Sequence, residues 1–212
     1  MRAHFDEFVA QNRIAIRSEP GKPDAPSCNW TSVSGDAAEF VESHGGAYDL
    51  IVLGRPSAPS PSAYSTIEVA LMSTGRPVLL APPDPPAQLG RKIMVAWNRS
   101  AQAARAMHAA KVLMLPQAAS VRILSIVTGA KHGPAAAEIA KNLSWSGIDA
   151  EVREMSPSSQ GVGGVLLAET SAIRADLLVM GAFSNSRLRQ IIFGGVTKHV
   201  LENATLPVLM SV

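Results

Sequence analysis

The carboxyl-terminal stretch Ala175–Val212 reads as four segments. They are an apolar strand closing on Gly181 (ADLLVMG), a polar loop (AFSNSRLRQIIF), a glycine pair opening a helix (GGVTKHVLENA) and a final apolar strand (TLPVLMSV). Glycines at a strand's carboxyl end and at a helix start leave backbone N–H groups unpaired at a positive helix terminus, as a phosphate-binding edge requires. A weaker version lies upstream, where Tyr48–Gly54 (YDLIVLG) matches ADLLVMG and Arg76–Leu80 (RPVLL) matches LPVLM. Gly54 precedes Gly181 by 127 residues and Pro77 precedes Pro207 by 130, so the later version carries three extra residues between these landmarks. The chain reads as a duplication in which only the second copy kept the glycine-rich segment.

Composition narrows the class. With 212 residues the chain has room for one large domain or two small ones. A formal charge of +2 is too small to argue for nucleic acid, and the pI of about 8.9 reflects that slight excess rather than a basic patch. No apolar run approaches the roughly 18 residues a membrane span needs, and Asp6 and Glu7 interrupt any secretory signal. Cys28 is the single cysteine, so an intrachain disulfide is excluded and a reducing cytoplasm is expected. His4, His44, His108, His132 and His199 show no metal-ligand spacing, and no metal site is expected.

The second half alternates strands with helices. The PPDPP run around Pro82–Pro86 stops both kinds of element and marks a linker. Strand signals then fall at Arg91–Trp97, Ser120–Val127, Asp149–Met155, Asp176–Gly181 and Leu206–Ser211. Between them, helices are predicted over Ala101–Leu115 with Ser100 as N-cap, Pro134–Trp145, Gly164–Arg174 and Gly195–Asn203. Five strands alternating with four helices imply a doubly wound parallel five-stranded sheet, with any ligand at the strands' carboxyl edge.

These residues resemble a known family. Gly181-x-x-Ser184, nine residues, then Gly194-Gly195-Val196-Thr197 is similar to the nucleotide loop of the universal stress proteins, and VAWNRS after the first strand resembles their VAxDxS. The resemblance implies the adenine nucleotide alpha-hydrolase-like fold, present once complete (90–212) and once incomplete (1–84), as a tandem stress-response protein. It also implies ATP or a related adenine nucleotide as ligand. Phosphates would meet the N–H groups of Ser184 and Gly194 to Val196, with the Thr197 hydroxyl helping. Asn98 would reach the ribose and Val127 the adenine edge, with Ala96, Trp97, Met180, Gly181 and Phe183 lining the site. Three departures weaken the expected binding. Ser184 stands in place of a glycine, so a Cβ narrows the phosphate approach. Gly195 replaces a hydroxyl residue, and Asn98 replaces an aspartate and loses its charge.

The first half is shorter than the second. Helices are predicted at Met1–Ala10, Gly35–His44 and Ser62–Ser73, and strands at Arg13–Arg17, Asp49–Gly54 and Pro77–Ala81. Aligned with the second half, it lacks strand 1, helix 1 and strand 2, about 45 residues, which reads as an internal start or a fragment. In the strand order 3-2-1-4-5 that the family implies, this leaves apolar strand edges uncovered. The terminal strands Pro77–Ala81 and Pro207–Ser211 are short, apolar and at sheet edges. They are expected to pair antiparallel, either within the chain as a pseudo-dimer or across a homodimer.

Several residues admit a plainer use. Gly181, Gly194 and Gly195 can serve tight packing instead of a nucleotide. Trp97 can stack on a base or, more simply, fill the core at a strand end. Arg187, Arg189, Lys198 and His199 can meet an anion or form a solvated helix face. Gly161-Val162-Gly163-Gly164 can add N–H donors before a helix or act as a hinge. Enzyme signatures are weak: there is no G-x-S-x-G elbow, no Walker lysine and no acidic pair at catalytic spacing. A nucleotide-binding stress module thus stands against a nucleotide-free dimerisation module, with a small hydrolase as a remote third reading.

Overall fold

The structure is a computed structural model that describes residues 2–19, 21, 25–56, 58, 60–84, 86–127, 133–183 and 195–212. They fall into two compact units, Met1–Gly35 and Asp36–Val212. In the smaller, helix α1 (Arg2–Asn12) precedes two two-residue strands, β1 (Ala15–Ile16) and β2 (Ser27–Cys28), which pair in parallel. α1 buries only Val9, while Phe5 and Trp30 pack ring against ring at 5.1 Å with the Arg2 guanidinium over both. The strand β2 carried no signal in the sequence.

The larger unit runs α2 (Ala37–His44), β3 (Ile51–Gly54), α3 (Pro61–Ser73), β4 (Val78–Ala81), β5 (Lys92–Ala96), α4 (Ala101–Leu113), β6 (Ser120–Ile126), α5 (Ala136–Ser144), β7 (Ala150–Met155), α6 (Gly161–Ala172), β8 (Leu177–Gly181), α7 (Gly195–Asn203) and β9 (Val208–Ser211). Its strands form one seven-stranded sheet in the order β3-β4-β9-β8-β5-β6-β7. Neighbours are parallel except at β4–β9. Strands β5 to β9 therefore make the expected parallel five-stranded sheet. The expected pairing of the terminal strands occurs within the chain, with Leu79 opposite Leu209.

The period of two along each strand sorts side chains to two faces. Met94, Leu178, Val208 and Met210 join Ile67, Leu71, Leu166, Val200 and Leu201 from α3, α6 and α7 on one face. Ile93, Val95, Val179 and Leu209 join Ala103, Ala106, Ala110, Ile139 and Leu143 from α4 and α5 on the other. Alanines let α4 lie close to the sheet; all three are at most 2 % exposed. Helix starts follow local chemistry: Asp36 accepts from the N–H groups of Ala38 and Glu39, and Ser100 Oγ from that of Ala103. The Asp176 carboxylate accepts from the N–H groups of Arg91 and Lys92, which aligns the starts of β5 and β8.

One boundary differs in a way that bears on the site. The predicted helix Gly164–Arg174 begins at Gly161 instead, so the glycine run is the helix's first turn and not a lead-in. Gly161 adopts φ +70°, a left-handed conformation that glycine adopts without strain. Glycine's low helix propensity suggested a loop, and packing overrides it.

Candidate functional site

A cleft of about 540 Å³ opens at the carboxyl edge of the central strands, where parallel α/β sheets bind ligands. Ala96, Trp97 and Asn98 enter it from the end of β5, Leu124 and Ile126 from β6, and Met180, Gly181 and Phe183 from the end of β8. The first turn of α6 (Gly161 to Gly163, with Gln160 before it) and that of α7 (Gly195 to Thr197, with His199) supply the remaining wall. Two helix amino termini thus line one cleft, and their partial positive charge favours an anion.

Nine of the twelve site residues that the family resemblance implies line it together: Ala96, Trp97, Asn98, Met180, Gly181, Phe183, Gly195, Val196 and Thr197. Ser184, Gly194, Arg187 and Arg189 lie outside the described residues. Val127 is absent from the lining: its N–H donates to Met155 O at 2.8 Å, and the side chain is exposed. Alternation along β6 puts Leu124 and Ile126 on the cleft side instead. The sequence reading missed Gln160, Leu166, Ile126 and Leu124. The helix-period and strand-period patterns that place them inside carry no mark of a cleft.

The geometry assigns several residues a packing role. A Cβ on Gly181 would fall 2.4 Å from Ala103 N and 2.7 Å from the Gln102 carbonyl carbon, so the end of β8 is pressed against the first turn of α4. Gly163 is likewise required, because a Cβ would meet the His199 ring and Cβ at 2.8 to 2.9 Å. Gly195 differs: among the described residues nothing lies within 4 Å of its Cβ position. Trp97 is 2 % exposed and its indole N–H donates to Pro134 O at 3.0 Å. It fills the core, and its ring is not available to stack on a base.

Polar groups at the rim are also engaged. Asn98 Oδ1 accepts from Ser100 N–H at 3.1 Å and from Ser100 Oγ at 2.6 Å, so it organises the start of α4. Phe183 N–H donates to the Thr197 hydroxyl at 3.4 Å, linking the end of β8 to α7, and Thr197 is buried. Arg99 and Phe183 hold φ +63° and +57°, left-handed values that cost a non-glycine residue on the order of 1 kcal/mol each. Lys198 sits 3.9 Å from Glu202 on the exposed side of α7, whereas His199 faces the cleft. Among the described residues no group of three His, Cys, Asp or Glu is placed to hold a metal, and no helix is long and apolar enough to cross a membrane.

The fold and the cleft define an α/β protein with a mostly parallel, doubly wound sheet and a ligand edge at its strand ends. The model of the universal stress protein family matches residues 90–211, and the chain belongs to that family. It is similar to a universal stress protein from Archaeoglobus fulgidus (19 % identity, TM-score 0.65, 89 % of this chain and 69 % of that one). It is also similar to a candidate universal stress protein from Pseudomonas aeruginosa (16 % identity, TM-score 0.57, 99 % of this chain and 77 % of that one). At these identities the likeness shows the fold. No curated protein matches the chain.

Proposed function

We propose that this chain is a cytoplasmic stress-response protein whose cleft binds an adenine nucleotide weakly, with magnesium as counter-ion in solution. The observation that carries the reading is the convergence of the β5 and β8 ends with the first turns of α6 and α7 on one cleft. Phosphates lie at the first turn of α7, against the N–H groups of Gly195 and Val196 and beside Thr197; Ser184 and Gly194, which the family resemblance adds, lie outside the described residues. The base lies toward Leu124 and Ile126. Asn98 Oδ1 already accepts from Ser100 N–H and Oγ and carries no charge, so it is a weaker ribose partner than a carboxylate would be. Calorimetry with millimolar Mg-ATP tests this, using wild type and a Ser184→Gly/Gly195→Ser double variant. Tighter binding by the double variant supports the reading; no heat from either protein overturns it. In thermal melts, ligand at a hundred times its Kd adds about 2.7 kcal/mol.

A second reading, a pairing module that takes no nucleotide, is favoured by Gly181 and Trp97, whose identities packing alone explains. In either case we read residues 36–84 as the closing part of a second family unit. The register supports this: Leu79 pairs with Leu209, its counterpart at the same offset of 130 that separates Pro77 from Pro207. Equivalent residues facing one another in an antiparallel pair are what an internal two-fold produces.

A further inference from the structure

Acidic residues are sorted by edge of the sheet. The connections that follow β5, β6, β7 and β8 (residues 97–100, 127–135, 156–160 and 182–194) contain no aspartate or glutamate in the sequence. They carry Arg99, Lys131, Arg187 and Arg189. Acids fall instead at the opposite edge, where Asp149 precedes β7 and Asp176 precedes β8. The cleft follows the same rule: among its described lining residues no side chain is a carboxylate, and His199 is the one that titrates. Acids on the two helices that wall it sit beside cations. Glu169 of α6 lies 3.2 Å from Arg153, and Glu202 of α7 lies 3.9 Å from Lys198.

Magnesium is held in nucleotide sites by one or two carboxylates together with the phosphates, and it demands oxygen ligands in octahedral geometry. The described side chains of the cleft offer it neutral oxygens that are already engaged. Asn98 Oδ1 accepts twice from Ser100. Thr197 is buried, and its hydroxyl accepts from Phe183 N–H at 3.4 Å. The Gln160 side chain folds back over the first turn of α6, with Oε1 3.5 Å from the Cβ position of Gly164. The His199 imidazole suits softer metals such as zinc. These residues do not fit magnesium. We infer that the cleft takes the phosphates of its ligand free of metal, so that magnesium competes with the protein for them. The inference rests on the nucleotide reading for the identity of the ligand and adds the form in which it binds. Magnesium on the phosphates cancels two of their charges, and with them attraction to the first turns of α6 and α7. It also brings a tightly held water shell that no carboxylate among the described lining residues is placed to accept.

Calorimetry on the full chain at constant ionic strength tests this, with ATP and with inorganic tripolyphosphate, each in EDTA and in excess magnesium. Both are expected to bind about tenfold more weakly with magnesium than in EDTA. Gly195→Asp sets a carboxylate at the first turn of α7, where among the described residues nothing lies within 4 Å of the Cβ position. It is expected to reverse the preference, so that ATP binds more tightly with magnesium than without. Gly195→Asn, its neutral counterpart, is expected to keep the wild-type preference. ATP that binds the wild type as tightly with magnesium as without, or more tightly, overturns the inference and leaves the nucleotide reading standing. So does a Gly195→Asp variant whose ATP binding magnesium does not strengthen. Tripolyphosphate that binds in EDTA, and more weakly with magnesium, where ATP gives no heat overturns the nucleotide reading alone. No heat from either compound in EDTA overturns both.

Discussion

Gly181 and Gly195 look alike in the sequence and behave differently in the fold. Gly181 is required by contact, since its Cβ position lies within 2.8 Å of three atoms of α4's first turn, two of them backbone. Backbone there cannot yield without moving the helix start. Gly181→Ala is therefore expected to destabilise the chain by about 1–3 kcal/mol, the usual cost of overpacking. Denaturant unfolding measures it, and an unchanged midpoint would contradict this contact. Gly195 meets none of the described residues at its Cβ position, so Gly195→Ser is expected to fold at wild-type stability or slightly above, with lower backbone entropy in the unfolded chain. A loss of more than about 1 kcal/mol would mean that the first turn of α7 is more crowded than its geometry indicates.

At the scale of elements, α6 and α7 meet through Gly163 and His199. Because His199 Cβ is itself within 2.9 Å of the added Cβ, a rotamer change alone cannot relieve Gly163→Ala. The expected loss is about 1–3 kcal/mol. Adding His199→Ala removes the ring and should recover part of that loss, so a double-mutant cycle is expected to show coupling above about 0.5 kcal/mol. Additive losses would place the strain elsewhere. At α4, Ser100 caps the helix through Ala103 N–H and is braced by Asn98. Ser100→Ala is expected to cost about 0.5–2 kcal/mol. Asn98→Asp keeps the acceptor and adds a charge at a helix amino terminus, so it is expected to hold stability while strengthening Mg-ATP heats, and calorimetry and melting read the two effects separately.

The whole large unit depends on the β4–β9 pairing, which joins residues 36–81 to residues 92–212 in one sheet. Among the described residues, the segment between them, from Pro82 to Arg91, contributes no strand or helix. Leu79 and Leu209, on opposite sides of that pairing, share one buried cluster with residues of β5, β8 and α4. Cleaving the chain within residues 82–91 is therefore expected to leave the two pieces together on gel filtration under native conditions and to release them in denaturant. Separation under native conditions would show that the link between them is covalent rather than structural.

Much of this was legible in the residues themselves. Apolar runs such as IMVAW, VRILSIV, LLVMG and PVLM marked the strands, and alanine-rich or capped stretches marked the helices, because composition and capping are local properties. The spacing from Gly181 to Thr197 brought the cleft's two sides to one sheet edge, since parallel topology puts every strand end there. Other matters were decided only in three dimensions. Whether a glycine serves a ligand or a neighbour depends on what lies within 3 Å, and for Gly181 and Gly163 that is another element's atoms. Trp97 became core and Asn98 became a brace for Ser100 because packing offered them Pro134 and α4. Val127 gave way to Leu124 and Ile126 because the face a strand residue takes follows from register with its neighbours. That the terminal strands pair inside the chain follows from long-range pairing that no local pattern encodes.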